Sequence, residues 1–109
     1  MKDDSVYLRH ILDCLNAIQE YLAGGKEAFF HDRKTQKATL RELQEVAESS
    51  QHLSSVLRDR YSEIPWRDIA GFRNVLVHDY LGLNLSRIWQ IIKHELPTLR
   101  KFVEEVLGK

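Results

Sequence analysis

The sequence predicts an all-α protein, an up-and-down bundle of four to five helices. Apolar residues recur at three- and four-residue steps in one segment after another, and no segment alternates with period two. The chain has 109 residues, which makes one domain, 1–109, with core enough for a small bundle.

Asp3, Asp4 and Ser5 supply capping oxygens and negative charge for a helix starting near residue 5. Its apolar stripe is Leu8, Ile11, Leu12, Leu15, Ile18 and Leu22, and Gly24-Gly25 ends it. A connecting segment with Phe29-Phe30 follows. Asp32 or Thr35 caps a second long helix, in which Leu40, Leu43, Ala47, Ser50, Leu53 and Leu57 keep helical spacing to about Arg60. Arg41, Glu42, Glu45, Glu48 and Arg58 form its solvated face. Pro65, tolerated in a first turn, starts a third helix with Ser62 as its cap; it runs to Asp79 and buries Ile69, Phe72 and Leu76. Gly82 and Asn84 turn the chain into a fourth helix marked by Leu85, Ile88, Trp89 and Ile92. Pro97 opens a short fifth one carrying Leu99, Phe102, Val103 and Val106.

The 43% apolar and 29% charged residues belong to a globular chain, not a disordered one. A formal net charge of zero steers it towards neither nucleic acid nor anionic lipid, so no DNA partner is expected and any RNA contact needs a local basic patch. Cys14 is the one cysteine and cannot form an internal disulfide, as suits a reducing cytoplasm. The polar, acidic start Met1-Lys2-Asp3-Asp4-Ser5 is unlike a signal peptide, and no apolar run approaches the roughly 18 residues of a membrane span. The expected location is the cytoplasm.

His10 and Cys14 stand four apart on the first helix, a spacing that could set two metal ligands side by side. Two ligands do not make a site, and there is no Cys-x-x-Cys pair. Cys14 is therefore expected as a small core hydrophobe, with no metal and no cofactor assigned. His31, His52 and His94 have no partner at a telling spacing and read as surface or capping residues. Trp66 and Trp89 lie among apolar helical positions and read as packing residues.

One stretch concentrates chemistry: Arg73-Asn74-Val75-Leu76-Val77-His78-Asp79-Tyr80. On an α-helix, Asn74 and His78 lie one turn apart and can hydrogen-bond, while Arg73 and Tyr80 share another line. Arg73 and His78 are about 140° apart around the axis. Either the long arginine or a second copy of the helix must bring both to one phosphate. A histidine can accept the proton of a ribose 2′-hydroxyl, and a guanidinium can stabilise charge on the adjacent phosphate. In the ordinary reading, His78 and Asp79 merely close a helix and Arg73 pairs with an acid. Spacing alone favours that ordinary reading.

At these residues the chain resembles the HepT-like family of the HEPN superfamily, whose signature is Arg, four residues, His, any residue, Tyr. Arg73, His78 and Tyr80 match it completely, with polar Asn74 after the arginine. The approach Ile64-Pro65-Trp66-Arg67-Asp68-Ile69-Ala70-Gly71-Phe72 and the stretch Phe29-Phe30-His31-Asp32 also look like the family, so the likeness covers nearly the whole chain. Where many relatives carry Ile-Gly-Glu-Ala, this chain has Val46-Ala47-Glu48-Ser49, and Glu48 is given no catalytic role. The resemblance implies the homodimeric toxin of a toxin–antitoxin pair, a metal-independent endoribonuclease acting on RNA. Arg73 and His78 would be catalytic and Asn74 supporting. The implied partner is an MntA-like nucleotidyltransferase antitoxin that transfers AMP to Tyr80, bringing negative charge into a site meant for RNA. The alternative is a non-catalytic nucleotide- or substrate-binding subunit of such a nucleotidyltransferase.

Overall fold

The computed structural model describes residues 3–75, 80–81 and 84–108. Those residues are helical and turn-forming, with no strand among them, so the all-α bundle expected from the periodicity is what forms. No helix among them is long and apolar enough to cross a membrane.

The framework is a pair of long helices, α1 (Asp4–Tyr21) and α3 (Arg33–Gln51). They run antiparallel, since Asp4 meets Ser54, His10 meets Glu45 and Tyr21 meets Glu42. Asp3 caps α1 by accepting from the Ser5 N–H at 3.1 Å. Asp32 caps α3 by accepting from the Lys34 N–H at 3.0 Å and the Thr35 hydroxyl at 2.7 Å. Leu8, Ile11, Cys14, Leu15 and Ile18 on α1 meet Leu40, Leu43, Val46 and Ala47 on α3 in one buried core. Ala47 is completely buried, so this core is built around its methyl.

Four expectations need correction. The Phe29-Phe30 connection is a helix, α2 (Gly25–His31), entered through Gly25 at a φ of 84°. Its seven residues are too few to show a period, but Phe29 is fully buried, 5.5 Å from the Trp89 ring. The buried Gln36 amide donates to the Phe29 carbonyl at 2.8 Å and ties α2 to α3. The second long helix stops at Gln51 instead of Arg60. Ser54 turns to extended backbone, accepts from the Leu57 N–H, and starts α4 (Ser55–Arg60). Asp4 holds that break open by accepting from the Ser54 N–H at 2.8 Å and its hydroxyl at 2.7 Å.

The third helix is described as α5 (Trp66–Ala70), continuing as a 3₁₀ turn over Gly71–Asn74; its expected run to Asp79, with Leu76 buried, lies outside the described residues. Pro65 and not Ser62 occupies its cap position, and no side chain caps it. The fourth and fifth helices form one rod: α6 (Leu85–Gln90), a π-helical turn Ile91–Glu95, and α7 (Leu96–Leu107). Pro97 has no N–H for the carbonyl four residues back and would clash with it. The wide π turn just before it moves that carbonyl aside, so the helix continues instead of restarting. The rod begins at Asn84, whose side chain accepts from the Arg87 N–H at 3.2 Å, and ends at Gly108 in a left-handed cap. α1 packs between α3 and α7, and α3 carries α5 and the 3₁₀ turn on its other side.

Candidate active site

The α5–3₁₀ segment is fixed by its apolar residues. Ile69, Phe72 and Val75 are buried, at 1%, 1% and 4% exposure. The Val75 N–H bonds back to the Phe72 carbonyl, the three-residue closure of a 3₁₀ turn. Trp66 holds the start of the segment. Its ring meets Phe102 edge-on at 5.2 Å, and its indole N–H donates to the Arg58 and Tyr61 carbonyls at 3.2 Å each. Trp66 and Trp89 are thus packing residues, as expected, and both pack against the core.

The anchored turn leaves Arg73 and Asn74 side by side and exposed. Among the described residues the Arg73 guanidinium has neither an ion pair nor a hydrogen bond. Tyr80 is half-buried and packs against the core. His78 lies outside the described residues, and with it the expected Asn74–His78 hydrogen bond.

Asn74 borders a cleft of about 230 Å³ between the 3₁₀ turn and the 85–107 rod. Arg67, Asp68, Arg87 and Glu95 share its walls, with Phe72 and Ile91 as floor. Neither Arg67 nor Arg87 makes an ion pair among the described residues. Burial pushes the Glu95 carboxyl above the usual range; Arg87 and His94 pull against this and Asp68 adds to it. Its Oε2 is buried with no hydrogen-bond partner among the described residues. Glu95 therefore holds a proton more readily than an ordinary glutamate. A concave surface offering two guanidiniums and a carboxamide beside the Asp68 and Glu95 carboxyls can take a phosphate.

Sequence reasoning singled out Arg73, Asn74 and Tyr80 here but neither Arg87 nor Glu95. The available signal was connectivity, because the rod that begins at Asn84 returns at once against the segment it has just left.

The structure also changes the picture at His10 and Cys14. The Glu42 and Glu45 carboxylates are half-buried against α1 and do not belong to a solvated face. His10 Nε2 lies 3.0 Å from Glu45 Oε1 and 3.7 Å from the Cys14 sulfur. The expectation that Cys14 is buried holds, at 2% exposure. Of the other histidines, His31 is exposed beside Glu27, His52 ends α3 and stacks on Tyr7 at 5.0 Å, and His94 is exposed.

Comparison with known proteins identifies the family. Residues 11–106 match the family described as "Ribonuclease HepT-like". A protein of Caldanaerobacter subterraneus, provisionally named an RNase, is 37% identical over all of this chain and 98% of its own length. A ribonuclease HepT of Thermococcus cleftensis, named with the same reserve, is 32% identical over 92% of each chain. A Methanocaldococcus jannaschii protein named as both a gamma-glutamylcyclotransferase and an RNase is 31% identical over 97% of this chain but only 48% of its own. No solved structure matches the chain significantly. The match over nearly the whole chain leads to one assignment: the chain belongs to the HepT-like ribonuclease family.

Proposed function

We propose that the protein is a metal-independent endoribonuclease and the toxin of a two-gene toxin–antitoxin system. The observation that carries this reading is the exposed Arg73-Asn74 pair beside the cleft of Arg67 and Arg87, on a chain that belongs to a ribonuclease family. In the proposed reaction His78 takes the proton of a ribose 2′-hydroxyl and the 2′-oxygen attacks the adjacent phosphorus. The 5′-oxygen leaves and is protonated, giving a 2′,3′-cyclic phosphate and a 5′-hydroxyl end. Arg73 stabilises the charge that builds on the phosphate oxygens, and Asn74 supports the pair. Arg67 and Arg87 hold the flanking phosphates.

The site is completed by a second copy of the chain in a homodimer. Exposure of Arg73 and Asn74 supports this, because an uncovered site leaves the phosphate in water, where charge stabilisation is weak. Tyr80 is the residue to which an MntA-like nucleotidyltransferase antitoxin adds AMP. An AMP there would bring negative charge into a site meant for RNA. A cytoplasmic location fits both roles and the single buried thiol.

The test is RNA cleavage by purified protein in the presence of a chelator. Cleavage should leave cyclic phosphate ends and be lost in His78→Ala and Arg73→Ala with the fold intact. Cleavage that persists in His78→Ala, or that needs magnesium, refutes the mechanism. The arginine cleft also favours a second reading, a non-catalytic subunit that binds a nucleotide for a nucleotidyltransferase. Calorimetry showing tight nucleotide binding without RNA turnover would select it. Mass spectrometry after co-production with the nucleotidyltransferase tests the regulation, which requires AMP on Tyr80.

A further inference from the structure

We propose that His10, Cys14 and Glu45 form a binding site for a divalent cation of the zinc class, bridging α1 and α3. The three donors are an imidazole nitrogen, a sulfur and a carboxylate oxygen, and they all lie within 4.8 Å of one another. Tetrahedral zinc with ordinary bond lengths sets its nitrogen and sulfur ligands about 3.6 Å apart and its nitrogen and oxygen ligands about 3.3 Å apart. Here the separations are 3.7 Å for His10 to Cys14 and 3.0 Å for His10 to Glu45. The third separation, Cys14 to Glu45, is within 4.8 Å, and movement of the flexible Glu45 side chain would close the triangle.

The surroundings support the same reading. Arg41 Nε donates to Glu45 Oε2 at 2.9 Å, which fixes the carboxylate with Oε1 turned towards His10. Burial, the adjacent Glu42, then Glu45 and Asp13 push the Cys14 thiol up, and a cation bound there would offset those carboxylates. The His10 and Glu45 side chains are 46% and 34% exposed. They open on a groove of about 420 Å³ that also includes Tyr7, Glu48 and His52, so an ion can enter and a water can fill the fourth position. Sulfur and imidazole ligands select zinc-class metals over magnesium or calcium. On binding, the Cys14 thiol gives its proton to solvent and its sulfur bonds the metal, His10 donates the Nε2 lone pair, and Glu45 donates Oε1. The cation then cross-links the two longest helices. These residues lie on elements other than the Arg73–Tyr80 segment and take no part in the proposed cleavage.

The experiment titrates the metal-stripped full chain with Zn²⁺, with Mg²⁺ as control and Co²⁺ as spectroscopic probe. One Zn²⁺ per chain is expected, with a Tm rise of about 10 °C at free zinc roughly 100-fold above Kd, and no rise with Mg²⁺. Co²⁺ should give a thiolate-to-cobalt charge-transfer band that Cys14→Ser abolishes. Because Cys14 is buried, the half-exposed positions serve as folding-neutral controls. His10→Gln and Glu45→Gln should each weaken zinc at least about tenfold, and Arg41→Ala by a similar factor through the orientation of Glu45. The proposal is overturned if zinc binds no better than magnesium or if the cobalt spectrum lacks the thiolate band. Unchanged zinc affinity in both His10→Gln and Glu45→Gln overturns it equally, leaving the cluster as an ion pair with a neighbouring thiol.

Discussion

Thr39→Val should stabilise the protein by about 1 kcal/mol. Thr39 sits on α3 at 0% exposure, and its hydroxyl oxygen is buried without a hydrogen-bond partner among the described residues. Burying an unpaired hydroxyl costs about 1–3 kcal/mol on the scale of protein mutations. Valine keeps the branched shape, so no cavity opens, and helix propensities of the two residues are nearly equal. The lower end of that range is expected, because neighbouring dipoles partly solvate the oxygen. Thr39→Ser gives the opposite sign: it keeps the hydroxyl and deletes a buried methyl, a loss of about 1 kcal/mol. Urea unfolding reads both. The valine midpoint should rise and the serine midpoint fall with slopes unchanged, and the valine Tm should rise by about 4–8 °C. A valine variant no more stable than the parent refutes the reasoning. It would mean that the hydroxyl is satisfied, by the carbonyl one turn back or by an ordered water.

The remaining predictions concern the cap, the cleft and pH. Ser54→Ala should cost about 1 kcal/mol in urea unfolding, because α4 loses its cap and Asp4 loses one of two donors. Arg67→Ala and Arg87→Ala should raise KM for RNA with little change in kcat, and each should lower the slope of log affinity against log salt by about 0.7. Equal losses in kcat would instead place these residues at the reacting phosphate. Glu95 binds its proton more tightly in the folded chain than in the unfolded one, so its contribution to stability falls as pH rises from 4.5 through the folded value. Asp3 and Asp32 have carboxyls lowered by the hydrogen bonds of their caps, and their contributions are lost instead as pH falls. Glu95→Gln should therefore be more stable than the parent above that range, and the difference should vanish in acid.

The elements legible in the sequence were those long enough to show a period. α1 and α3 each run to about five turns, and their apolar stripes point to the core that forms. α2 has two turns and was missed, because a seven-residue helix repeats its pattern only once. The break after Gln51 was hidden for a different reason. Leu53 is buried from a non-helical position, so the stripe appears to run on although the helix has stopped. Pro97 misled in the other direction: it reads as a start, yet the π turn before it absorbs the clash. Partnerships across helices were the least legible of all. His10 and Cys14 share a helix and were visible as a pair, whereas Glu45 and Arg41 reach them from α3 and depend on its register.

The Arg73 segment contains a subtler case, and it bears on function. An α-helical reading of 65–79 selects Ile69, Phe72 and Leu76 as the buried line, and puts Arg73 and Asn74 about 100° apart. Leu76 lies outside the described residues; those described as buried in this segment are Ile69, Phe72 and Val75, spaced three apart. Three-residue spacing is the period of a 3₁₀ helix, in which residues three apart eclipse one another and the chain presents three ridges. With Phe72 and Val75 on one buried ridge, Arg73 and Asn74 fall on the two remaining ridges, and both must face solvent. An α-helix would let a buried line of this spacing drift by about 60° every three residues, which would turn one of the polar pair back towards the core. The tight winding thus leaves both a cation and a carboxamide at the surface, about 120° apart around the axis. The consequence is testable through the anchors. Val75→Ala should loosen the turn and reduce RNA cleavage by lowering kcat more than it changes global stability, read by single-turnover kinetics beside urea unfolding. If stability falls while kcat holds, the winding serves packing alone.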